Sequence, residues 1–255
     1  MMQNYLDAWM DWLLPAHCLL CGLYSGSLYR GSLDSGSLYR GSGRLCAACS
    51  EELPRPGLAC RRCALPCNPS QLMLCGQCLA HPPAWDEAVA ALFYDYPVDH
   101  LVQRFKFQRN LACGQLLADE LLHEILRRVR QSRTSLPQVL IPVPLHFARR
   151  FHRGFNQAEF LARQLGKQLG IPVRVNGLRR IKSTPAQSGL DRKARRKNLK
   201  GAFSCQDMTG LELALIDDVL TTGSTLGECV AVMKTAGAAR VSVWVAARAP
   251  LKECG

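Results

Sequence analysis

The chain has 255 residues, 48% of them hydrophobic, and 32 basic side chains against 20 acidic ones give it a formal charge of +12. That length fits one large domain, or a medium domain with a small companion, and the hydrophobic share is ordinary for a protein with a core. No apolar run approaches the roughly 18–20 residues of a membrane-crossing helix, so no membrane span is expected.

The first 17 residues predict a short amphipathic helix. Tyr5, Leu6, Trp9, Leu13 and Leu14 recur at helical spacing. Asp7 and Asp11 interrupt the apolar part and no basic n-region precedes it, so the stretch does not read as a secretory signal and the cytoplasm is the expected location. Its polar face carries acids rather than Lys or Arg, which favours packing on the protein body over lying on a membrane surface.

Residues 18–82 form a cysteine-rich module. Nine of the 13 cysteines fall before residue 79, and eight make four C-x-x-C pairs: Cys18/Cys21, Cys46/Cys49, Cys60/Cys63 and Cys75/Cys78. Such a pair aims two thiolates at one tetrahedral ion, and two pairs complete a four-cysteine zinc site. Four pairs therefore predict two zinc ions, matched either in sequence or crossed. Redox pairs or disulfides are the alternative, but no βαβ setting surrounds these cysteines and the expected compartment is reducing. Sites filled by four thiolates have no open position, so the zinc is architectural. It would also offset the shortage of aliphatic residues in the first 80 positions. His17, Cys67 and His81 are spare candidates.

Between the first two pairs lies "SGSLYRGSLDSGSLYRGSGR", residues 25–44, in which residues 25–32 and 35–42 are identical. Two copies of a ten-residue Gly/Ser-rich unit cannot bury a core, so a flexible loop is expected. Doubling a loop adds only about 0.6 kcal/mol of closure entropy, which the metal site can absorb.

Residues 83–255 change texture. "EAVAALFYDY" (87–96) predicts a strand, "PVDHLVQRFKF" and "ACGQLLADELLHEILRRVRQ" helices, "QVLIPVPL" (138–145) a strand, and "FNQAEFLARQLGKQLG" a helix ending at Gly170. "LELALIDDVL", "STLGECVAVMKTAGA" and "RVSVWVAARA" (240–249) continue as strand, helix and strand. Alternating strands and helices predict an α/β fold with a mainly parallel sheet flanked by helices. Ligands of such sheets bind at the carboxyl ends of strands.

"LALIDDVLTTGST" (213–225) lies at one such end. Thr221, Thr222, Gly223, Ser224 and Thr225 offer hydroxyls and N–H groups at a helix N-terminus, an anion site. The loop has no lysine, so it is not a Walker A motif and suits a monophosphate ester. Asp217 and Asp218, just upstream, can accept hydrogen bonds from a diol such as the 2- and 3-hydroxyls of a ribose 5-phosphate. Successive strand residues face opposite ways, so the pair can act jointly only if the strand has ended. Otherwise one acid would cap the helix and the other would be a solvated loop residue.

This stretch resembles the 5-phosphoribosyl-1-pyrophosphate (PRPP) motif of type I phosphoribosyltransferases. "IPVPLHFARRFHRGFNQAE", "TPAQSGLDRKARRKNLKGAF" and the double zinc ribbon further resemble the competence-protein-F (ComF) branch of that superfamily. The chief departure is the 25–44 repeat. The resemblance implies a type I phosphoribosyltransferase-like domain that binds PRPP with Mg2+. Asp217 and Asp218 would hold the ribose hydroxyls, and the turn from Thr221 to Thr225 the 5-phosphate. Leu145, His146, Arg149, Arg150 and Arg153 would face the pyrophosphate, for which guanidinium is suited. Residues 183–203 would form a loop closing over the site. Within it Arg192 and Lys193, with Arg195, Arg196 and Lys197, would neutralise the leaving pyrophosphate through an oxocarbenium-like state. His146 and His152 are candidate bases. No nucleobase-binding hood is evident, so the acceptor is unspecified.

Charge adds a second function. Residues 174–200 hold ten basic side chains against one acid, Asp191, a site for a polyanion or simply a solvated surface. The family resemblance implies a part in uptake of single-stranded DNA, with Arg192, Lys193, Arg195, Arg196 and Lys197 on its backbone and with DNA-uptake proteins as partners. Phe203 is the only aromatic nearby for base stacking. The alternatives are an active phosphoribosyltransferase releasing pyrophosphate from PRPP in nucleotide salvage, and a zinc-ribbon adaptor.

Overall fold

In the computed structural model the described residues are 17–23, 44–67, 73–132, 135–145, 154–182 and 201–250. The elements in chain order are α1 (Ala47–Glu51), α2 (Gly76–Ala80), β1 (Glu87–Phe93), α3 (Val98–Phe107), α4 (Leu111–Ser132) and β2 (Val139–Pro142). They continue with α5 (Gln157–Leu169), β3 (Leu178–Arg180), β4 (Phe203–Cys205), β5 (Glu212–Leu220), α6 (Ser224–Thr235) and β6 (Arg240–Arg248). Four strands form a parallel sheet in the order β1-β6-β5-β2, as expected from the alternation of strands and helices. β6 and β5 occupy its middle and are almost continuously apolar, as strands covered on both faces must be.

Helices pack on each face. On one side α3, α4 and α5 enclose Phe105, Leu116, Leu121 and Leu161 with Ala214 and Ile216 of β5. Gly114 lets α4 approach α3, since a Cβ there would lie 2.3 Å from the Phe105 ring. On the other side α6 and the β3–β4 hairpin cover Leu213, Leu215, Val243 and Val245. Asn156 caps α5 by accepting from the Ala158 N–H, and Gly170 ends that helix at φ 69, the expected stop.

The cysteine-rich segment shares these cores. Cys18, Leu45 and Leu53 belong to the first, Ala64 to the second, and only Cys60, Cys63, Leu65 and Cys78 form a buried group apart. The predicted helix over residues 1–17 lies outside the described residues, apart from His17, as does nearly all of the 25–44 repeat. The β3–β4 hairpin was not expected from the sequence. It pairs antiparallel, and Ile181 donates to the Ala202 carbonyl at 2.8 Å, so the two ends of the predicted closing loop meet. Among the described residues no helix is long and apolar enough to cross a membrane.

Candidate functional site

The turn from β5 into α6 lies at the carboxyl edge of the sheet. Gly223 has φ 73 as the N-cap of α6, a left-handed conformation that glycine adopts without cost. Thr222 and Ser224 hydroxyls lie 3.1 Å apart, and the Gly223 carbonyl accepts from Gly227 at 2.7 Å. Thr221 and Thr222 are exposed, and Gly223, Ser224 and Thr225 half-buried. The first N–H groups of a helix have no acceptor within it, so the turn presents hydroxyls and amides together.

The strand does not end before the aspartates. Val219 and Leu220 still pair with Ala247 and Arg248, because they continue the apolar pattern of a central strand. The condition for joint action within one turn is therefore not met, and the carboxylates leave opposite faces of β5. Asp218 points to the α3 side, where it is 7% exposed and its Oδ2 lies 2.9 Å from Lys106 Nζ. Asp217 Oδ1 accepts from the Asp218 N–H at 2.9 Å, and its charge is felt by buried Cys229 of α6. A ligand reaching both must sit over the edge of the strand rather than to one side.

The eight cysteines gather as two sets in sequence order, Cys18–Cys21–Cys46–Cys49 and Cys60–Cys63–Cys75–Cys78, with the sulfurs of each set within 4.8 Å of one another. A tetrahedron with Zn–S bonds of about 2.3 Å has edges of about 3.8 Å. Cys21 and Cys46 sulfurs are 3.9 Å apart, and those of Cys63 and Cys75 3.6 Å. Cys75 N–H donates to Cys60 Sγ at 3.3 Å. Burial opposes ionisation of Cys18 and Cys60, but surrounding backbone N–H groups outweigh it and hold their thiols near 6 and 7. Burial and then neighbouring sulfurs raise Cys49, Cys63 and Cys78, Cys63 to about 12. Four thiolates that cannot ionise together without a cation fit a structural dication such as zinc.

Three residues at the site were not anticipated. Arg248, at the end of β6 and 4% exposed, donates through Nη1 to the carbonyls of Leu220, Thr221 and Ala249, each at 2.7 Å, and through Nε to Cys63 O at 2.8 Å. Burial lowers its pKa below the ordinary arginine value, with the nearby sulfurs of Cys63, Cys78 and Cys75 pulling the other way. Trp85 lies against Gly223, where a Cβ would come within 2.6 Å of Cη2. Its Nε1 donates to Arg62 O at 2.5 Å, and Arg62 Nη1 donates back to the Trp85 carbonyl at 3.2 Å. Lys106 is the third. The signal for Arg248 was a cation closing the run "RVSVWVAARA" at the edge where ligands bind, and for Lys106 a cation inside the amphipathic "FKF".

His146, Arg149, Arg150 and Arg153, with His152, lie outside the described residues. So do Arg192, Lys193, Arg195, Arg196 and Lys197. Leu145 is described and half-buried. Phe203 does not offer a stacking surface: it is 4% exposed in the core beneath α6, with the Arg180 guanidinium 5.7 Å above its ring.

No family model matches the chain. It is 41% identical over 179 residues to competence protein F of Haemophilus influenzae, an overlap covering 69% of this chain and 78% of that protein. The chain belongs to the competence protein F family. Another relative is the DNA utilization protein YhgH of Salmonella typhimurium, 35% identical over 206 residues, covering 80% of this chain and 90% of that one. YhgH of Escherichia coli K12 is 34% identical over 205 residues, with the same coverage. The double zinc ribbon expected of a ComF protein has its counterpart in the two four-cysteine sets. Among solved structures, the chain overlaps a purine phosphoribosyltransferase from Pyrococcus horikoshii with a TM-score of 0.31 and 20% identity, over 50% of this chain and 69% of that one. It overlaps the glutamine PRPP amidotransferase of B. subtilis with a TM-score of 0.37 and 17% identity, over 57% of this chain and 30% of that one.

Proposed function

We propose that this ComF protein binds a phosphoribosyl ligand of the PRPP type, with Mg2+, at the carboxyl end of β5, and works on or with incoming single-stranded DNA. One observation carries the ligand reading: the left-handed turn at Gly223 places the hydroxyls of Thr222 and Ser224 at the start of α6, with Thr222 four residues beyond Asp218. The turn seats the 5-phosphate. The aspartates take the ribose hydroxyls from the two sides of the strand end, Asp218 with Lys106 as its counter-charge. His146, Arg149, Arg150 and Arg153 take the pyrophosphate, and the basic loop with Arg192 and Lys193 closes over it. Support comes from the match of the motif to the PRPP motif of phosphoribosyltransferases.

The DNA reading rests on the family's competence and DNA-utilization proteins and on the ten basic residues among positions 174–200. Calorimetry with PRPP and Mg2+ tests the ligand: Asp217→Asn with Asp218→Asn should abolish binding, and an unchanged affinity refutes the site. Pyrophosphate release from PRPP, screened over bases, amines and single-stranded DNA, separates a transferase from a binding protein. Affinity for single-stranded DNA should fall steeply with salt and with Arg192, Lys193, Arg195 and Arg196 changed to alanine. Indifference to both removes the DNA reading.

A further inference from the structure

Three consecutive carbonyls of the Cys60–Cys63 knuckle are held by the α/β domain. Arg61 O accepts from Ala88 N of β1 at 2.8 Å, Arg62 O from Trp85 Nε1 and Cys63 O from Arg248 Nε at 2.8 Å. Two of those three donors also touch the β5–α6 turn. Arg248 turns its other nitrogen onto Leu220 O and Thr221 O, and Trp85 presses on Gly223. The next residue, Ala64, is fully buried in the core beneath α6 and sits at φ 57, so the knuckle holds a conformation that an L-residue adopts only when its surroundings enforce it.

We infer that the second cysteine set governs the seating of the phosphate turn through Arg248 and Trp85, so that metal occupancy of this set controls affinity for a phosphorylated ribose. This rests on the reading of the turn as a phosphate site. Arg248 and Trp85 are positioning residues. With the set closed, Arg248 Nε keeps Cys63 O as its acceptor and Nη1 ties down the carbonyls of Leu220 and Thr221. With the set open, Cys63 O moves, one buried guanidinium donor loses its acceptor, and Trp85 loses its anchor on Arg62. The turn then samples conformations in which its amides no longer converge on one anion.

Hydrogen exchange followed by mass spectrometry on the full zinc-loaded chain reads the turn without any ligand. In Arg248→Lys and Trp85→Phe, amides 221–226 should exchange roughly tenfold faster or more, the effect of losing one buried hydrogen bond. Amides of α5 and the zinc content should match the unaltered protein, which a general loss of stability would not allow. Cys75→Ser with Cys78→Ser should give the same local signature. Affinity for ribose 5-phosphate should fall by a similar factor in all three. If exchange of the turn and affinity stay within about twofold of the unaltered protein in Arg248→Lys and Trp85→Phe, or in Cys75→Ser with Cys78→Ser, the inference is overturned. If the unaltered chain binds no ribose 5-phosphate, the phosphate reading fails, and the exchange arm still decides whether the knuckle seats the turn.

Discussion

Changing Gly223 to alanine sets two costs against one small gain. At φ 73 an L-residue is strained by about 1–2 kcal/mol. Its Cβ would lie 2.6 Å from Trp85 Cη2 and 3.3 Å from Cζ3, roughly an ångström inside ordinary carbon contact. Trp85 cannot simply swing aside, being 5% exposed and tied to Arg62 O, so overpacking adds about 1–3 kcal/mol. The stiffer unfolded chain returns about 0.4–1 kcal/mol. The net is a loss of about 1–5 kcal/mol, or a drop in melting temperature of roughly 2–18 °C for a chain of this size. Differential scanning calorimetry measures it, with Gly227→Ala as the contrast. Gly227 has open space around its missing Cβ and lies in the second turn of α6, where alanine should stabilise by up to about 1 kcal/mol. If Gly223→Ala melts within 2 °C of the unaltered protein, about the shift expected from half a kcal/mol, then Trp85 does not hold the turn as described.

The Lys106–Asp218 pair should show coupling of about 1–2 kcal/mol in a urea-denaturation double-mutant cycle with Lys106→Met and Asp218→Asn. Each single change leaves a mostly buried charge unpartnered, and a coupling near zero would mean that water screens the pair. Metal analysis should find two zinc ions per chain, falling to one when Cys60 and Cys63 become serine, because the sulfurs group in sequence order; loss of both would show that the two sets depend on each other. Burial raises the Asp119 carboxyl above its ordinary value, with the Gln115 amide only partly offsetting this. The folded state then holds that proton to higher pH than the unfolded chain, so the contribution is present below about pH 4 and is lost as pH rises through the folded pKa. Melting curves of Asp119→Asn should therefore gain on the unaltered protein from pH 4 upward, and parallel curves would contradict this.

The strands and helices of the sheet were legible because each is apolar at its own period: β5 and β6 as nearly unbroken runs, α5 as a capped helix stopped by Gly170. The turn at Gly223 and the four C-x-x-C pairs were legible for the same reason, since local spacing alone brings their groups together, whereas the matching of the pairs into two sets was left to the fold. What escaped was set by distant partners. β3 and β4 are three residues each, too short for any period to register, and they exist because they close the base of a long connection. Arg248 and Trp85 act through main-chain carbonyls, and a carbonyl leaves no trace in side-chain chemistry. The sequence allowed the two aspartates to act jointly only if the strand had ended. The strand instead carries them to opposite faces, because Val219 and Leu220 still have neighbours on β6.

The strand order bears on how the chain is made. Among the described strands β1 is the first to leave the ribosome, and its neighbour in the sheet is β6, the last. Arg240 reaches Glu87 across 153 residues of chain. Until β6 has been synthesised, β1 lacks its neighbour in the described sheet, and the Cys60–Cys63 knuckle lacks the Arg248 that donates to its Cys63 carbonyl. Non-local closure of this kind slows folding and exposes apolar surface meanwhile. Zinc captured early by the first cysteines would give the nascent chain one ordered end while the rest of the sheet is still being translated.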